Sequence, residues 1–225
     1  MAKKKKQVEA KGFDNVEQTL SRTEQFIEDN YKQLLYGLAV IVVLVAAFWL
    51  IKIRLNSRTE DALAQMYVAE DYFAKDSLNL ALNGDGNYLG FVDIADDYKA
   101  TRPGNLANYY AGLCYLQLGQ FEDAIEYFDR FDKNDEAIAP LAYACTGDAY
   151  IELGDSKRGI EFYLKAVNYA DNDFYNPLYL LKAGQVYELD GNNEKALEMY
   201  QRIKNEYPES NEGSNIDKYI ARVSK

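Results

Sequence analysis

Few side chains in this chain could do bond-making chemistry. Histidine is absent, which removes the commonest general base and the commonest metal ligand together. Cys114 and Cys145 are the only cysteines, too few and too far apart for a zinc site or a disulfide scaffold. Catalysis would have to rest on carboxylates, Lys, Tyr or Ser, and no constellation of these stands out. The sequence therefore predicts no enzyme, no catalytic residue, no metal and no cofactor. The run Asn83-Gly84-Asp85-Gly86-Asn87 carries oxygens of the kind calcium takes. Its spacing departs from the EF-hand loop and no Glu closes it, so a Gly/Asn turn is expected there.

What remains is recognition chemistry, carried by aromatic and acidic side chains at regular spacing. Gly112 is followed by Tyr115, Ala124 and Phe128; Gly147 by Tyr150, Gly159 and Tyr163; Gly184 by Tyr187, Ala196 and Tyr200. The three glycines lie 35 and 37 residues apart, which matches the tetratricopeptide pattern of helix pairs. Small residues let the two helices of a pair approach, and the rings fill the space between pairs. Gly119, Gly154 and Gly191 fall where each first helix must turn, and Pro140 and Pro177 open the next one. Most of the 20 tyrosines then have packing roles. Repeats are expected near 105–138, 140–173 and 177–210. A degenerate unit near 62–100 has Ala62, Met66, Ala69, Tyr72 and Phe73 in its first helix and Phe91, Ile94 and Tyr98 in its second, with an expanded loop between. Ile216, Tyr219, Ile220 and Val223 form a capping helix over 212–223.

Ahead of the repeats, Leu34 to Ile51 is an uncharged run of eighteen residues. As a helix it rises about 27 Å, against roughly 30 Å of bilayer hydrocarbon. Lys32, Lys52 and Arg54 flank it and Trp49 suits an interface, so 31–54 reads as a signal-anchor helix. A cleaved signal peptide fits poorly, because the run is long and neither an A-x-A site nor a lipobox cysteine follows. A buried core helix would rarely be apolar on every face. Seven basic residues (Lys3, Lys4, Lys5, Lys6, Lys11, Arg22 and Lys32) precede the run, against Lys52, Arg54 and Arg58 after it. That bias predicts a single-pass protein of a bacterial inner membrane, N-terminus cytoplasmic and residues 56–225 periplasmic. Residues 1–12 read as a disordered basic tail. Phe13, Val16, Leu20, Thr23 and Ile27 mark 13–30 as an amphipathic interfacial helix.

The fold expected is thus all-α: one N-terminal transmembrane helix followed by a tetratricopeptide-repeat α-solenoid. Charge divides accordingly, with a net of +4 over residues 1–58 and −15 over 59–225. An acidic repeat domain argues against nucleic acid as its partner. By helical phase the binding face of the first helices carries Tyr109, Leu113, Leu116 and Gln117, then Ala144, Asp148, Ile151 and Glu152, then Leu181, Gln185 and Glu188. It is apolar with carboxylates on one side, suited to a protein segment with apolar anchors and some positive charge. The Lys, Arg and Asn that clamp a C-terminal carboxylate in other arrays are missing from it. The chain's own terminal helix is the alternative occupant. Cys114 and Cys145 differ in repeat position by about a helical turn, which favours buried free thiols over a disulfide.

The segment VEQTLSRTEQFIEDNYKQLLYGLAV followed by the repeats resembles the YfgM-type ancillary subunits of the bacterial Sec translocon. The resemblance implies partners among Sec translocon subunits, a membrane-anchored periplasmic chaperone and secreted chains, and a role in handing those chains onward. The Lys-rich tail and the Asn83–Asn87 insertion depart from that pattern. Two other readings stay open: a scaffold subunit of an envelope or outer-membrane assembly complex, whose members usually carry a lipobox, and a cytosol-facing receptor of reversed topology.

Overall fold

In the computed structural model the backbone is described for residues 2–224 and the side chains for 24–224. Every regular element among the described residues is helical. The chain divides into two compact units, residues 1–56 and 57–225.

In the first unit the tail, the interfacial helix and the span expected as separate segments lie in one helix, α1 (Ala2–Ala74). No proline interrupts these residues, and Lys, Glu, Gln and Ala are strong helix formers. The stripe Phe13, Val16, Leu20 and Thr23 lies outside the residues whose side chains are described. From Leu34 to Ile53 the large apolar side chains are exposed. An 18-residue window of this stretch reaches a mean hydropathy of 2.8. Among the described residues, α1 is the one helix long and apolar enough to cross a membrane.

The second unit is built from helix pairs. The last turns of α1 and α3 (Phe91–Asp97) make the degenerate unit. Three pairs follow: α4 (Arg102–Gln117) with α5 (Phe121–Arg130), α6 (Ala139–Glu152) with α7 (Ser156–Tyr169), and α8 (Asn176–Leu189) with α9 (Asn193–Glu206). A 3-10 turn over Gly213–Asn215 leads to α10 (Asp217–Val223). The insertion after α1 holds a helix of its own, α2 (Leu78–Asn83). It forms because Ala81 and Leu82 supply an apolar face, which is buried beside Phe91 and Ile94.

Each pair starts and stops by local chemistry. The Thr101 hydroxyl accepts the Gly104 N–H at 3.1 Å, with Pro103 in the first turn of α4; such a cap is worth about 1 kcal/mol. Asp155 and Asn192 cap α7 and α9 in the same way, through the N–H groups of Arg158 and Lys195. Asp135 and Asn172 close Asx turns ahead of α6 and α8. Each first helix ends on Gly119, Gly154 or Gly191, at φ 74°, 78° and 75°. The next residue's N–H returns to Tyr115, Tyr150 or Tyr187 at 2.8–2.9 Å, a Schellman-type closure that needs the left-handed region.

Glycine has a second task inside the pairs. A Cβ at Gly112, Gly147 or Gly184 would sit 2.7, 2.8 or 2.4 Å from the ring of Phe128, Tyr163 or Tyr200. Those rings are buried and bridge successive pairs, so the helices approach through glycine and the rings seal the contact. Ile216, just ahead of α10, and Val223 within it are buried and finish the last cluster, which α9 shares.

Candidate protein-binding face

The stripe predicted for binding runs along α4, α6 and α8, and its members fall into three groups. Tyr109, Leu113 and Leu116 are half-buried and pack against the cluster around Phe128 and Phe131. Ala144 is 3 % exposed and belongs to the core rather than to a surface, packed in the cluster that holds Tyr163, Tyr179 and Leu180. Gln117 and Glu152 are exposed, and Asp148, Ile151, Leu181, Gln185 and Glu188 are half-buried. An open groove of about 550 Å³ brings together Leu116, Gln117, Asp148, Ile151 and Glu152. Leu181, Gln185 and Glu188 lie outside it. No residue of α10 lines this groove, so the terminal helix does not occupy it.

The electrostatics differ from the sequence expectation. Asp148 is neutralised within the fold: its carboxylate accepts from Tyr163 Oη at 2.5 Å and from Lys182 Nζ at 2.7 and 2.9 Å. Burial, then the Asp148 hydrogen bond, pushes the Tyr163 phenol far above its ordinary value. Glu188 is satisfied in the same way, accepting from Tyr200 Oη at 2.9 Å and from Arg222 at 2.7 Å. The Arg222 guanidinium holds the Glu188 carboxyl below the usual carboxylate range. Lys182, Tyr163 and Arg222 are therefore site residues that helical phase alone does not find. A signal was present, since each acid and its cation lie 34 residues apart, close to the 35- and 37-residue spacing of the repeats.

A second, larger groove of about 730 Å³ lies at the other end of the same stripe, where the last turns of α1 face the start of α4 and the segment entering α6. Leu63, Met66, Leu106, Phe131 and Ile138 line it, with Glu70, Arg102, Asp132 and Asp135 as its charged members. Leu63 and Tyr67 are exposed there, Tyr67 at 75 %. This end was missed because the degenerate unit has no glycine at the position that sets the phase of the other three.

Neither cysteine is bonded. Cys114 is buried and Cys145 half-buried, and burial pushes both thiols up to about 12. At the insertion, Asp85 accepts the N–H groups of Asn87 and Tyr88 and the Tyr72 hydroxyl. Its carboxylate ties the turn to α1, the role expected of a Gly/Asn turn.

Models of the tetratricopeptide repeat match residues 106–136 and 179–210, and a further tetratricopeptide model matches 146–173. The chain carries tetratricopeptide repeats, a class of helical array that serves as a protein–protein interaction module. Among solved structures, the MamA protein is similar with a TM-score of 0.51 at 18 % identity, over 73 % of this chain and 90 % of that one. The nearly identical TPR-like repeats of a Podosopora anserina protein assigned as a kinesin light chain give a TM-score of 0.55 at 12 % identity, over 73 % and 85 %. At these identities the likeness is one of fold. No curated protein matches the chain.

Proposed function

We propose that this chain is a single-pass, membrane-anchored protein-binding module of a bacterial inner membrane, with a cytoplasmic N-terminus and periplasmic repeats. In this reading it acts as an accessory of the Sec translocon, receiving emerging or periplasmic polypeptides, or a chaperone partner, on its first-helix face. The observation that carries the proposal is the open groove over Leu116, Asp148, Ile151 and Glu152, in a chain whose α1 leaves its apolar side chains exposed. An exposed all-apolar helix is unstable in water and suited to lipid. The basic bias ahead of the span supports the orientation. The translocon assignment leans on the resemblance of the lead and anchor segment.

Two experiments test it. Protease added to intact spheroplasts should digest the repeats; their survival would place them in the cytosol and reverse the topology. A photo-crosslinking residue at Ile151, read by mass spectrometry in cells, should capture translocon subunits, a periplasmic chaperone or secreted chains. Recovery of outer-membrane assembly subunits alone would replace this reading with that of an envelope scaffold.

A further inference from the structure

We propose that the groove between the last turns of α1, the start of α4 and the entry to α6 binds a polypeptide segment that combines apolar anchors with a Lys or Arg paired to Glu70. The proposal deepens the reading that the repeats bind polypeptide, and rests on it.

Burial and charge together separate this end of the stripe from the other. At that other end Glu152, which forms no ion pair among the described residues, is exposed and solvated. The half-buried acids there, Asp148 and Glu188, already have cations of their own in Lys182 and Arg222. Glu70 has none: among the described residues it forms no hydrogen bond and no ion pair, although it is half-buried. Burial lifts its carboxyl above its ordinary value, and Tyr110 is the neighbour that senses its charge. A half-buried carboxylate without a cation is a standing cost that an incoming Lys or Arg relieves.

The surroundings set what else the guest must carry. Asp132 and Asp135 add negative charge at the rim against Arg102 alone. Asp132 accepts from Asn134 Nδ2, and Asp135 Oδ1 from the Ala137 and Ile138 N–H groups, and neither forms an ion pair among the described residues. The floor is apolar, with Leu63 and Tyr67 left exposed to water. A volume of about 730 Å³ accommodates several side chains of a helical or extended segment. The acidic rim repels nucleic acid and anionic lipid headgroups alike.

Fluorescence anisotropy on the full chain in detergent micelles tests the inference. The probes are a labelled amphipathic Leu/Lys peptide, its Leu/Glu counterpart and its Leu/Gln counterpart. Wild type should prefer the Lys peptide. Glu70→Gln should weaken that peptide about five-fold, the worth of one partly buried charge-assisted bond, and leave the Gln peptide unchanged. Glu70→Lys should shift the preference to the Glu peptide. Leu63→Ser, an exposed change, should weaken the Lys and Gln peptides together. Thermal denaturation followed by circular dichroism keeps folding defects apart from binding defects. Equal affinity of wild type for the Lys and Glu peptides, no measurable binding of the Lys peptide, or an unchanged preference in Glu70→Gln would overturn the inference. So would a photo-crosslinker at Leu63 that yields only dimers of this chain, because the groove would then belong to a second copy. If the Ile151 crosslinker still captures polypeptide while the peptides fail, the inference falls alone; if both fail, the polypeptide-binding reading falls with it.

Discussion

Alanine at Gly147 separates two physical accounts of why glycine stands there. If the glycine were merely tolerated in α6, alanine would stabilise the helix by about 0.8–1.0 kcal/mol through propensity alone. The packing says otherwise. A Cβ there sits 2.8 and 2.9 Å from Cδ1 and Cε1 of Tyr163 and 3.0 Å from the Gly159 carbonyl oxygen. A ring can often swing aside, but this one is 3 % exposed and its hydroxyl is held by Asp148, itself held by Lys182. With the ring fixed at both ends, the overpacking penalty falls in the upper part of the ~1–3 kcal/mol range. Subtracting the propensity gain leaves a net loss of about 1–2 kcal/mol. For a unit of this size that lowers the thermal midpoint by about 2–8 °C. Circular dichroism melts of wild type and Gly147→Ala in the same detergent read the shift. Tyr163→Phe frees the ring from Asp148, so the alanine should cost less in that background, by about 0.5–1 kcal/mol in a double-mutant cycle. A Gly147→Ala protein as stable as wild type, or more so, would refute the reasoning.

Other outcomes follow from the same contacts. Gly154→Ala meets no neighbour but sits at φ 78°, so it should destabilise by about 1–2 kcal/mol through backbone strain, and Gly154→Asn should cost less; equal losses would contradict the left-handed turn. Asp148 and Lys182, both about a third exposed, should couple by about 0.5–1 kcal/mol in an Asp148→Asn/Lys182→Gln cycle after solvent screening. The Glu188 carboxyl is held low by Arg222, so its contribution is present above the unfolded value of about 4.3 and lost as pH falls through the lower folded one. The midpoint gap between wild type and Glu188→Gln should accordingly exist at neutral pH and close on acidification below about pH 4; a gap that persists in acid argues against the pair. Both thiols are pushed up to about 12, so alkylation at mildly alkaline pH should track unfolding, and a fast phase in the native protein would show an accessible thiolate.

Repetition made most of the fold legible. Gly112, Gly147 and Gly184 with their rings fix where two helices must approach, and that requirement survives in any environment the helices share. Turn glycines and opening prolines are equally local, so α4 to α9 follow from the sequence. The insertion was harder. Six residues of helix in α2 carry too short a period to announce themselves, and only the apolar bed beside Phe91 makes Ala81 and Leu82 helical rather than looped. The degenerate unit escaped the phase argument for a similar reason: without its glycine, nothing in the local pattern points Leu63, Met66 and Glu70 toward Leu106 and Ile138.

Charge was misread for a different reason, and the period corrects it. Helical phase places Asp148 and Glu188 on the open face but is blind to what the next pair brings alongside. The cations arrive one repeat later, Lys182 for Asp148 and Arg222 for Glu188, each 34 residues on; Arg130 reaches Asp96 at that same separation between second helices. With repeats of about 37 residues at Asp148 and at Asp96, a step of 34 lands one helical turn short of the counterpart in the next unit, so opposite charges at that separation are neighbours in space although remote in sequence. Arg222 lies in α10, which places that helix, short as it is, where the first helix of a further repeat would stand. Within the stripe, among the described residues, the half-buried acid that lacks such a partner is Glu70. An array that pairs its half-buried acids between successive units thus leaves one such carboxylate uncompensated on its degenerate unit, and there an external Lys or Arg gains most.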